Sequence, residues 1–403
     1  MQVILRAGGE RTGVELEEAK DIVQRFLKLA DNNVVAGVDL SCRQWKLEAM
    51  EVIEHVLKEV AGTVRYLVID DVIAGLLTEE GLTVTQRLAD AFIESNLLEV
   101  NMNDNAMGER GLGRVESLFQ DSDLQRLYLS NCGLSHYSMV QLNGYLLQDN
   151  QRIAKSLKEL VLDKNMIGED GAAVVASFLP HCLNLELFSY QGSRPMKAGS
   201  KHIGQGLLDL ATNVDEPRIK HLDLNDCLFG DGGGNDKGGL VLLTKAIAKF
   251  KHLRYLDMMD NVIKVSGVTL LVDALKTSNV RLSDLVLDGN ELEDEGGEVL
   301  SSWLVSQVAS LKRLHLGFNE LGDEGVAAVM APFFASRNVI VDLSLDGNAI
   351  DDSGVDTLLM ARLPCLKQLS LKEIGDVEEE TKKKIISGFG KGVVSFGDEE
   401  EEP

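Results

Sequence analysis

One pattern of leucine and asparagine recurs along this chain of 403 residues and limits what it can fold into. The pattern L-x-x-L-x-L-x-x-N-x-L is clearest in LSDLVLDGNEL (282–292), LKRLHLGFNEL (311–321) and IVDLSLDGNAI (340–350). Its asparagines, Asn290, Asn319 and Asn348, lie 29 residues apart, and we call their position the slot. Because a repeat overrides local structure signals, it is read before anything else.

Further copies of the pattern cover most of the chain. Upstream, the slot holds a small or amide side chain in each copy: Asn105, Cys132, Asn165, Ser193, Cys227 and Asn261. Two weaker copies precede these, VAGVDLSCR (35–43) and VRYLVIDDV (64–72), and LKQLSL (366–371) closes the series. The sequence therefore predicts about twelve repeats.

Each repeat has a strand half and a helix half. In L-x-L the apolar period is two, which places both leucines on one side of a short strand. A segment such as GVAAVMAPFF (325–334) instead has apolar residues at helical spacing. One strand and one helix cannot bury their apolar faces alone, so the copies must stack. The predicted fold is an α/β leucine-rich-repeat solenoid, or horseshoe. Its parallel sheet, with strands about 4.8 Å apart, lies on the concave side and its helices on the convex side. The repeat length is that of ribonuclease-inhibitor-type repeats.

The slot should be buried between adjacent coils. An amide side chain there can satisfy backbone groups of the neighbouring turns, because it both donates and accepts hydrogen bonds. Cysteine at Cys132 and Cys227 is a small, largely apolar replacement.

The predicted organisation is one solenoid without a second domain. It consists of an N-terminal cap (1–33), the repeats (34–375), a C-terminal capping helix (376–396) and an acidic tail (397–403). Extra residues fall at 189–204, 209–218 and 230–239, where we expect loops on one edge. The glycine-rich segment 230–239 lacks the G-x-x-x-x-G-K-[ST] order of a phosphate loop, which favours a flexible edge loop.

Composition excludes several classes of protein. The formal net charge is −24, from 64 acidic and 40 basic residues. This charge disfavours nucleic acid and suits a cationic or mixed protein surface. The five cysteines are odd in number and form no C-x-x-C, which indicates reduced thiols in a cytosolic or nuclear protein. No signal peptide or membrane span is expected.

The chain has no recognisable catalytic or metal motif. The seven histidines form no H-E-x-x-H, and no G-x-S-x-G is present. DGNELEDEGGEV (288–299) looks superficially like a calcium loop, but Leu292 occupies a position that needs an oxygen ligand. We expect no metal site, no cofactor and no self-contained active site.

One polar position stands beside the slot. In LYLSNCGLS (127–135), Asn131 precedes the slot residue Cys132. We call the residue directly before the slot the rim position; in successive copies it is Cys42, Asp71, Asp104, Asn131, Lys164, Asp226, Asp260, Gly289, Phe318 and Gly347. A charged row of this kind is typical of a protein-binding edge, with Asp71, Asp104, Lys164, Asp226 and Asp260 as contacts. The alternative is that Asp and Asn simply favour turns. Since Asn131 should be exposed, its replacement with alanine is expected to cost little stability.

Several segments resemble a known family. LYLSNCGLS, NMNDNAMGERGL (101–112), DDVIAGL (70–76), LVLDKNMIGEDGA (160–172) and LDLNDCLFGDGGG (222–234) resemble the GTPase-activating proteins of the small GTPase Ran, called RanGAPs. They look closest to the plant-type members. The combination of an asparagine beside the slot in L-x-N-C-G with N-D-N-A-x-G one repeat earlier carries most of the resemblance.

The resemblance implies a function in trans. It implies that the GTP form of Ran is the partner and that Asn131 is the catalytic residue, which holds the water-orienting glutamine of Ran without an arginine finger. GTP and magnesium would then belong to the GTPase, and the enzyme status of this chain itself stays open. A monomer in the cytoplasm is expected, with the nuclear envelope as an open alternative.

One departure from the family matters. Members typically have arginine directly after the glycine of the segment that matches IAG (73–75), and here Leu76 takes that place. This difference leaves an active divergent protein, a shifted contact or an inactive relative open. Two hypotheses follow: an activator of Ran acting through Asn131, and a leucine-rich-repeat scaffold that binds a protein without catalysis.

Overall fold

A computed structural model of the chain describes residues 1–120, 122–230, 238–334 and 338–397. Its residues group into two compact units, Met1–Pro195 and Met196–Pro403, which we describe separately. The predicted boundaries of cap, repeats and tail stay predictions, and all but the first residue of the acidic tail lies outside the described residues.

Strands and helices alternate along the first unit. Its strands are β1 (Gln2–Arg6), β2 (Gly13–Val14), β3 (Val34–Asp39), β4 (Gln44–Trp45), β5 (Tyr66–Val68), β6 (Glu99–Asn101), β7 (Arg126–Tyr128), β8 (Glu159–Val161) and β9 (Leu187–Ser189). Its helices are α1 (Leu16–Ala30), α2 (Leu47–Val60), α3 (Thr78–Ala91), α4 (Gly111–Arg114), α5 (His136–Ser156) and α6 (Gly168–Phe178). Short 3-10 turns follow α2, α4 and α6 at Ala61–Thr63, Glu116–Phe119 and Leu179–His181.

The first unit contains a parallel sheet with the strand order β1-β3-β5-β6-β7-β8-β9. Its central residues are in register, so that Leu127 lies opposite Val100 on one side and Leu160 on the other. These central residues are buried, whereas the residues flanking them are mostly half-buried. We call the side on which the flanking residues lie the open face.

The second unit repeats this arrangement. Its strands are β10 (His221–Asp223), β11 (Tyr255–Asp257), β12 (Asp284–Val286), β13 (Arg313–His315), β14 (Asp342–Ser344), β15 (Gln368–Ser370) and β16 (Val394–Ser395), paired in parallel in that order. Its helices are α7 (Met196–Asn213), α8 (Leu240–Ile247), α9 (Lys264–Ser278), α10 (Glu293–Leu304), α11 (Asp323–Met330), α12 (Asp352–Met360) and α13 (Glu379–Phe389), with a 3-10 turn at Ala331–Phe333. The predicted class, an α/β fold of stacked leucine-rich repeats, is confirmed.

The slot residues form the predicted buried ladder. In Asn290, which is fully buried, Nδ2 donates to the carbonyl oxygens of Met258 (2.8 Å) and Leu287 (2.9 Å). Its Oδ1 accepts from the backbone N–H groups of Asn261 (3.1 Å) and Ile263 (3.2 Å). Asn319 and Asn348 repeat this pattern one coil later each. The amide thus joins adjacent coils at a point that water does not reach.

Cysteine at the slot keeps only part of the ladder. The Sγ of the buried Cys132 lies 3.0 Å from the carbonyl oxygen of Met102, and burial raises the pKa of this thiol to about 12. The Cys132 N–H still donates to Oδ1 of Asn165 in the next copy. The thiol is therefore a structural substitute for the amide, as the sequence predicted.

The expected loop at 189–204 is wrong over most of its length. Residues 196–213 form helix α7, which buries Ile203, Leu207 and Leu210 at helical spacing. Of the segment 209–218, the part up to Asn213 belongs to the same helix. The third expected loop, 230–239, lies mostly outside the described residues. Glycines and short polar residues separate the apolar residues of α7, so the helical spacing was not recognised in the sequence.

The chain ends differ in detail from simple caps. At the N-terminus, β1 pairs with β3 and α1 packs beside α2, so the predicted cap is a complete strand and helix. At the C-terminus, α13 is followed by β16, which extends the sheet of the second unit. No helix among the described residues has the length and apolar character that crossing a membrane requires.

Candidate functional site

The rim position has a left-handed backbone in every described copy. The φ angle is positive at the rim residues Cys42, Asp71, Asp104, Asn131, Lys164, Gly192, Asp226, Asp260, Gly289, Phe318, Gly347 and Glu373. Glycine, asparagine and aspartate tolerate this conformation best, which explains much of the polar row that the sequence displays. It also corrects one expectation, because alanine at Asn131 (φ 53°) would add backbone strain of about 1 kcal/mol.

In the first unit, backbone hydrogen bonds stack the rim residues one coil apart. The N–H of Asp104 donates to the carbonyl of Ser130 (2.9 Å), and the N–H of Asn131 donates to the carbonyl of Asp163 (2.8 Å). Each acceptor is the residue directly before the next rim residue. Asp104, Asn131 and Lys164 therefore follow one another along one edge, and all three are exposed.

The side chains of Asn131 and Asp104 are joined. Nδ2 of Asn131 donates to Oδ1 of Asp104 over 2.8 Å. An ionised carboxylate can only accept, so the NH2 end of the amide must face Asp104. The amide carbonyl, Oδ1 of Asn131, has no hydrogen-bond partner among the residues that the structure describes. Asn131 thus presents a fixed acceptor to solvent.

The preceding repeat supports the turn that carries Asn131. In NMNDN (101–105), Oδ1 of Asn101 accepts from the N–H of Asn103, and Oδ1 of Asn103 accepts from the N–H of Ser130 (2.7 Å). Asn105 is the buried slot residue, with Oδ1 accepting from Val72. Each polar residue of this motif therefore stabilises either the stacking of the coils or the turn that carries Asn131.

Asp71 does not present the free charge that the sequence predicted. Arg11, from the segment between β1 and β2, binds it with two contacts, Nε to Oδ2 (2.6 Å) and Nη2 to Oδ1 (2.9 Å). The Asp71 side chain is only 9% exposed, whereas that of Arg11 is 70% exposed. The charge at this rim position is therefore neutralised, and the solvent meets arginine there. No motif signalled the pairing, because the two residues lie 60 positions apart.

In the second unit, Asp226 and Asp260 are exposed rim residues, as predicted. Burial, and after it the charge of Asp226, raises the pKa of the Asp260 carboxyl. The rim then loses its charge at Gly289, Phe318 and Gly347.

Sequence reasoning missed a polar cluster on the open face beside Asn131. Arg126 on β7 donates through Nε to Glu99 on β6 (2.6 Å), and the Tyr128 hydroxyl donates to Glu159 on β8. Burial, followed by the hydrogen bond to Glu159, raises the pKa of Tyr128. The sequence did contain a signal for this cluster, since its residues occupy the positions that flank the buried central residue of each strand. The cluster offers hydrogen bonds and charges, but no activated nucleophile.

The site on the first unit is thus suited to orient another molecule. Asn131 supplies a neutral acceptor, Asp104 fixes it, and Lys164 places a positive charge on the next coil. None of the three groups is a nucleophile matched to a neighbouring base. Such an arrangement favours positioning of a partner's reacting groups.

Comparison with known proteins supports the repeat assignment. A family model described as "Leucine Rich repeat" matches residues 251–272, 279–301 and 309–330. These matches begin shortly before β11, β12 and β13 and extend into or through the helices that follow. The chain therefore contains leucine-rich repeats.

Several curated proteins are similar in sequence. Ribonuclease inhibitor of Sus scrofa is 27% identical over 286 residues, which cover 70% of this chain and 59% of that protein. NACHT, LRR and PYD domains-containing protein 3 of Macaca mulatta is 28% identical over 285 residues, 69% of this chain and 26% of its own. RAN GTPase-activating protein 1 of Arabidopsis thaliana is 33% identical over 125 residues, 30% of this chain and 23% of its own. The chain spans less than two thirds of the length of these relatives.

A solved structure shares the fold. A chain in the crystal structure of the Rad7 and Elc1 complex in yeast matches with a TM-score of 0.58 at 13% identity, covering 94% of this chain and 86% of that chain. At this identity the match concerns the fold alone.

Proposed function

We propose that this leucine-rich-repeat protein, a relative of ribonuclease inhibitor, activates GTP hydrolysis by the small GTPase Ran. In this proposal Asn131 acts in trans, by holding the glutamine of Ran that orients the attacking water. Small GTPases hydrolyse GTP slowly because this glutamine is poorly positioned. An activator therefore needs a fixed hydrogen-bonding group more than a reactive one.

One observation carries the proposal. Asn131 is exposed on the rim, and its NH2 end is held by Asp104 at 2.8 Å, so that its carbonyl oxygen faces solvent as an acceptor. A glutamine side chain carries two N–H donors that such an acceptor can hold. Because Asn131 is neutral, it adds no charge beside the phosphates. The sequence similarity to RAN GTPase-activating protein 1 of Arabidopsis thaliana supports the choice of partner.

A second candidate function is a non-catalytic protein-binding scaffold. It is favoured by the wider similarity to ribonuclease inhibitor, 286 residues against 125. It is also favoured by Leu76, which is half-buried where RanGAP-like proteins have arginine. Under this alternative the rim would bind a protein partner and accelerate no reaction.

Single-turnover hydrolysis distinguishes the two functions. Ran loaded with GTP is mixed with increasing amounts of the wild-type protein, and phosphate release and complex formation are followed together. The activator proposal expects acceleration on the order of 10³-fold or more at saturation. Tight binding with hydrolysis at the intrinsic rate would establish the scaffold. Absence of binding to Ran would remove both the partner and the activity.

The Leu76 position offers a further arm of this assay. Leu76→Arg should raise the saturated rate if the loss of arginine has impaired an active site. A wild type that is already fast and a Leu76→Arg variant of equal rate would indicate that the contact has moved to other residues.

A further inference from the structure

A hollow of 540 Å³ opens on the sheet of the second unit. Residues of five neighbouring strands, β11 to β15, and of the turns after them line it. Its walls carry four acidic residues, Asp257, Asp288, Asp342 and Asp346, and two aromatic residues, Tyr255 and Phe318. None of the functional proposals above uses this surface.

Asp257, Asp288 and Asp346 are buried or half-buried, and the charge of His315 in the same hollow offsets the charges of Asp257 and Asp288 only in part. Asp257 is 7% exposed and Asp288 is 8% exposed. Among the described residues, none of these carboxylates forms an ion pair with lysine or arginine. Arg313 pairs with Asp284 (3.3 Å) and with Asp342 of the hollow itself (3.1 Å), and His315 lies 3.1 Å from the same Asp342 carboxylate. Asp257 and Asp346 accept hydrogen bonds at both carboxylate oxygens, from Tyr255 and Met259 and from Ser370 and Lys372 respectively. Their negative charges are nevertheless only partly balanced, so a further cation at this place would be stabilising.

Of the three carboxylates, Asp288 has the least complete set of hydrogen bonds. Its Oδ1 accepts from the N–H of Gly317 over 2.7 Å. Its Oδ2 has no hydrogen-bond partner in the part of the chain that the structure describes, although the side chain is nine-tenths buried and lines the hollow. A carboxylate that has lost most of its water and keeps one unpaired oxygen is suited to accept from a ligand.

Gly317 keeps a space open between Asp288 and Asp346. A Cβ atom at Gly317 would lie 2.6 Å from Oδ1 of Asp288 and 3.5 Å from Cβ of Asp346. The three residues occupy equivalent positions on successive coils. Any side chain at Gly317 would therefore fill the gap between the two carboxylates.

Phe318 forms an exposed aromatic wall next to this gap. It occupies the rim position with φ 52° and is 50% exposed, although the rim residues of both adjacent coils are glycines with positive φ. Its ring lies over Gly347, because a Cβ atom there would be 2.2 Å from Cδ1 of Phe318. A bulky residue in this backbone conformation is strained, and half of the surface of Phe318 stays open to solvent.

We propose that this hollow is a docking site for an arginine side chain of a partner protein. A guanidinium group is planar, carries five donors in a fixed fork and stacks on aromatic rings. It can donate to Asp288 and Asp346 across the gap above Gly317 while its face lies against Phe318. A lysine ammonium would reach the carboxylates without the stacking contact.

The charge of the hollow fits this occupant. With Arg313 and His315 paired with Asp342, the described lining leaves three further carboxylates, Asp257, Asp288 and Asp346, and one further basic residue, the exposed Lys372. Electrostatic complementarity of this kind favours a basic partner and excludes an acidic one. The inference does not depend on the proposed action on Ran and is tested without a GTPase.

The test uses three short peptides that differ in one side chain, arginine, lysine or citrulline, flanked by glycines. Citrulline has the shape of arginine but no charge. Binding to the full chain is followed by NMR at low ionic strength, with the methyl groups of Val286 and the amides of Gly317 and Phe318 as reporters. We expect the arginine peptide to bind at least 5-fold more tightly than the lysine peptide and the citrulline peptide to leave the reporters unmoved. Equal binding of all three would overturn the proposal, and equal binding of arginine and lysine would overturn the guanidinium assignment.

Two variants test whether binding of the arginine peptide depends on the hollow or on the overall negative charge of the chain. Phe318→Gly should weaken the arginine peptide at least 5-fold while leaving the melting temperature equal or higher, since glycine relieves the left-handed strain. Asp346→Asn should weaken it further, whereas Glu298→Gln, an equal change of charge at an exposed position on α10, should not. Unchanged affinity in Phe318→Gly, or equal losses in Asp346→Asn and Glu298→Gln, would contradict the site.

Discussion

Two asparagine positions only one residue apart within the repeat behave in opposite ways. At the slot, Asn290 is fully buried and its amide joins backbone groups of adjacent coils. At the rim, Asn131 is exposed, and among the described residues its side chain hydrogen-bonds with Asp104 alone. The difference shows how one repeat separates its tasks. Both ends of the slot amide form hydrogen bonds within the fold, whereas the carbonyl oxygen of the rim amide stays available to a partner. Burial, and not residue type, decides which task an asparagine has.

The largest expected effect on stability is at the slot. Replacing Asn290 with alanine removes its side-chain hydrogen bonds to five backbone groups in a place that water does not reach. We expect the free energy of unfolding to fall by about 1–3 kcal/mol. Urea denaturation monitored by circular dichroism measures it, with Asn131→Gly as the rim counterpart. Equal losses in the two variants would break the distinction between slot and rim.

Asp288 sharpens the comparison, because it is buried like a slot residue but lacks a full set of partners. Burial raises its pKa to about 6, and the carboxylate of Asp257 adds to this, whereas the N–H of Gly317 and the charge of His315 lower it. The folded-state pKa therefore lies above the unfolded value near 3.8. Stability from the protonated carboxyl is present below about pH 4 and is lost as the pH rises to about 6.

Asp288→Asn should remove this loss while keeping an acceptor for Gly317. Its unfolding free energy should exceed that of the wild type by about 2 kcal/mol at pH 7.5 and by little at pH 4. Thermal unfolding at both pH values measures the difference. A constant offset between the two proteins would show that the ionisation of Asp288 is not the cause.

A third prediction concerns the support of the rim amide. Asp104→Gly removes the acceptor that fixes Asn131 and keeps the left-handed backbone unstrained. The rate of GTP hydrolysis by Ran at saturating protein should fall about 10-fold, since the amide can then rotate. Asp104→Asn, which keeps an acceptor but no charge, should stay within about 2-fold. If both variants only slow association and leave the saturated rate unchanged, Asp104 steers the partner and does not position Asn131.

The smallest expected effect comes from backbone conformation at the rim. Asn131→Ala should lower the free energy of unfolding by about 1 kcal/mol, because alanine is strained at φ 53°, whereas Asn131→Gly should lower it by only a few tenths. Denaturant titration of both variants measures the difference. A loss that is the same for alanine and glycine would mean that the side chain, and not the backbone, matters for stability here.

The features that follow from the repeat were predicted correctly from the sequence. The strands, the buried slot amides and the exposure of Asn131 depend on periodicity and on the position within one copy, and the structure confirms them. Helix α7 was missed because its apolar residues are separated by glycine and polar residues, so that the segment resembled an inserted loop.

Contacts between distant segments could not be predicted in the same way. The pairing of Arg11 with Asp71 joins an N-terminal segment to the rim, and no repeat specifies the course of that segment. The hydrogen bond from Asn131 to Asp104 is an intermediate case. Stacking places the two rim positions on adjacent coils, but the repeat does not specify which end of the amide faces the carboxylate.

The most direct test compares two exposed asparagines that share a left-handed backbone. Asn131 lies on the rim, and Asn279 (φ 53°) ends helix α9. Each is replaced with glycine, and single-turnover GTP hydrolysis by Ran is measured at saturating protein together with the affinity for GTP-loaded Ran. We predict that Asn131→Gly lowers the saturated rate by about 10²-fold with affinity changed less than about 3-fold, as expected for an interaction made mainly in the transition state. Asn279→Gly should match the wild type. An unchanged rate in Asn131→Gly, or a loss that lies wholly in affinity, would contradict the role of the rim amide in catalysis.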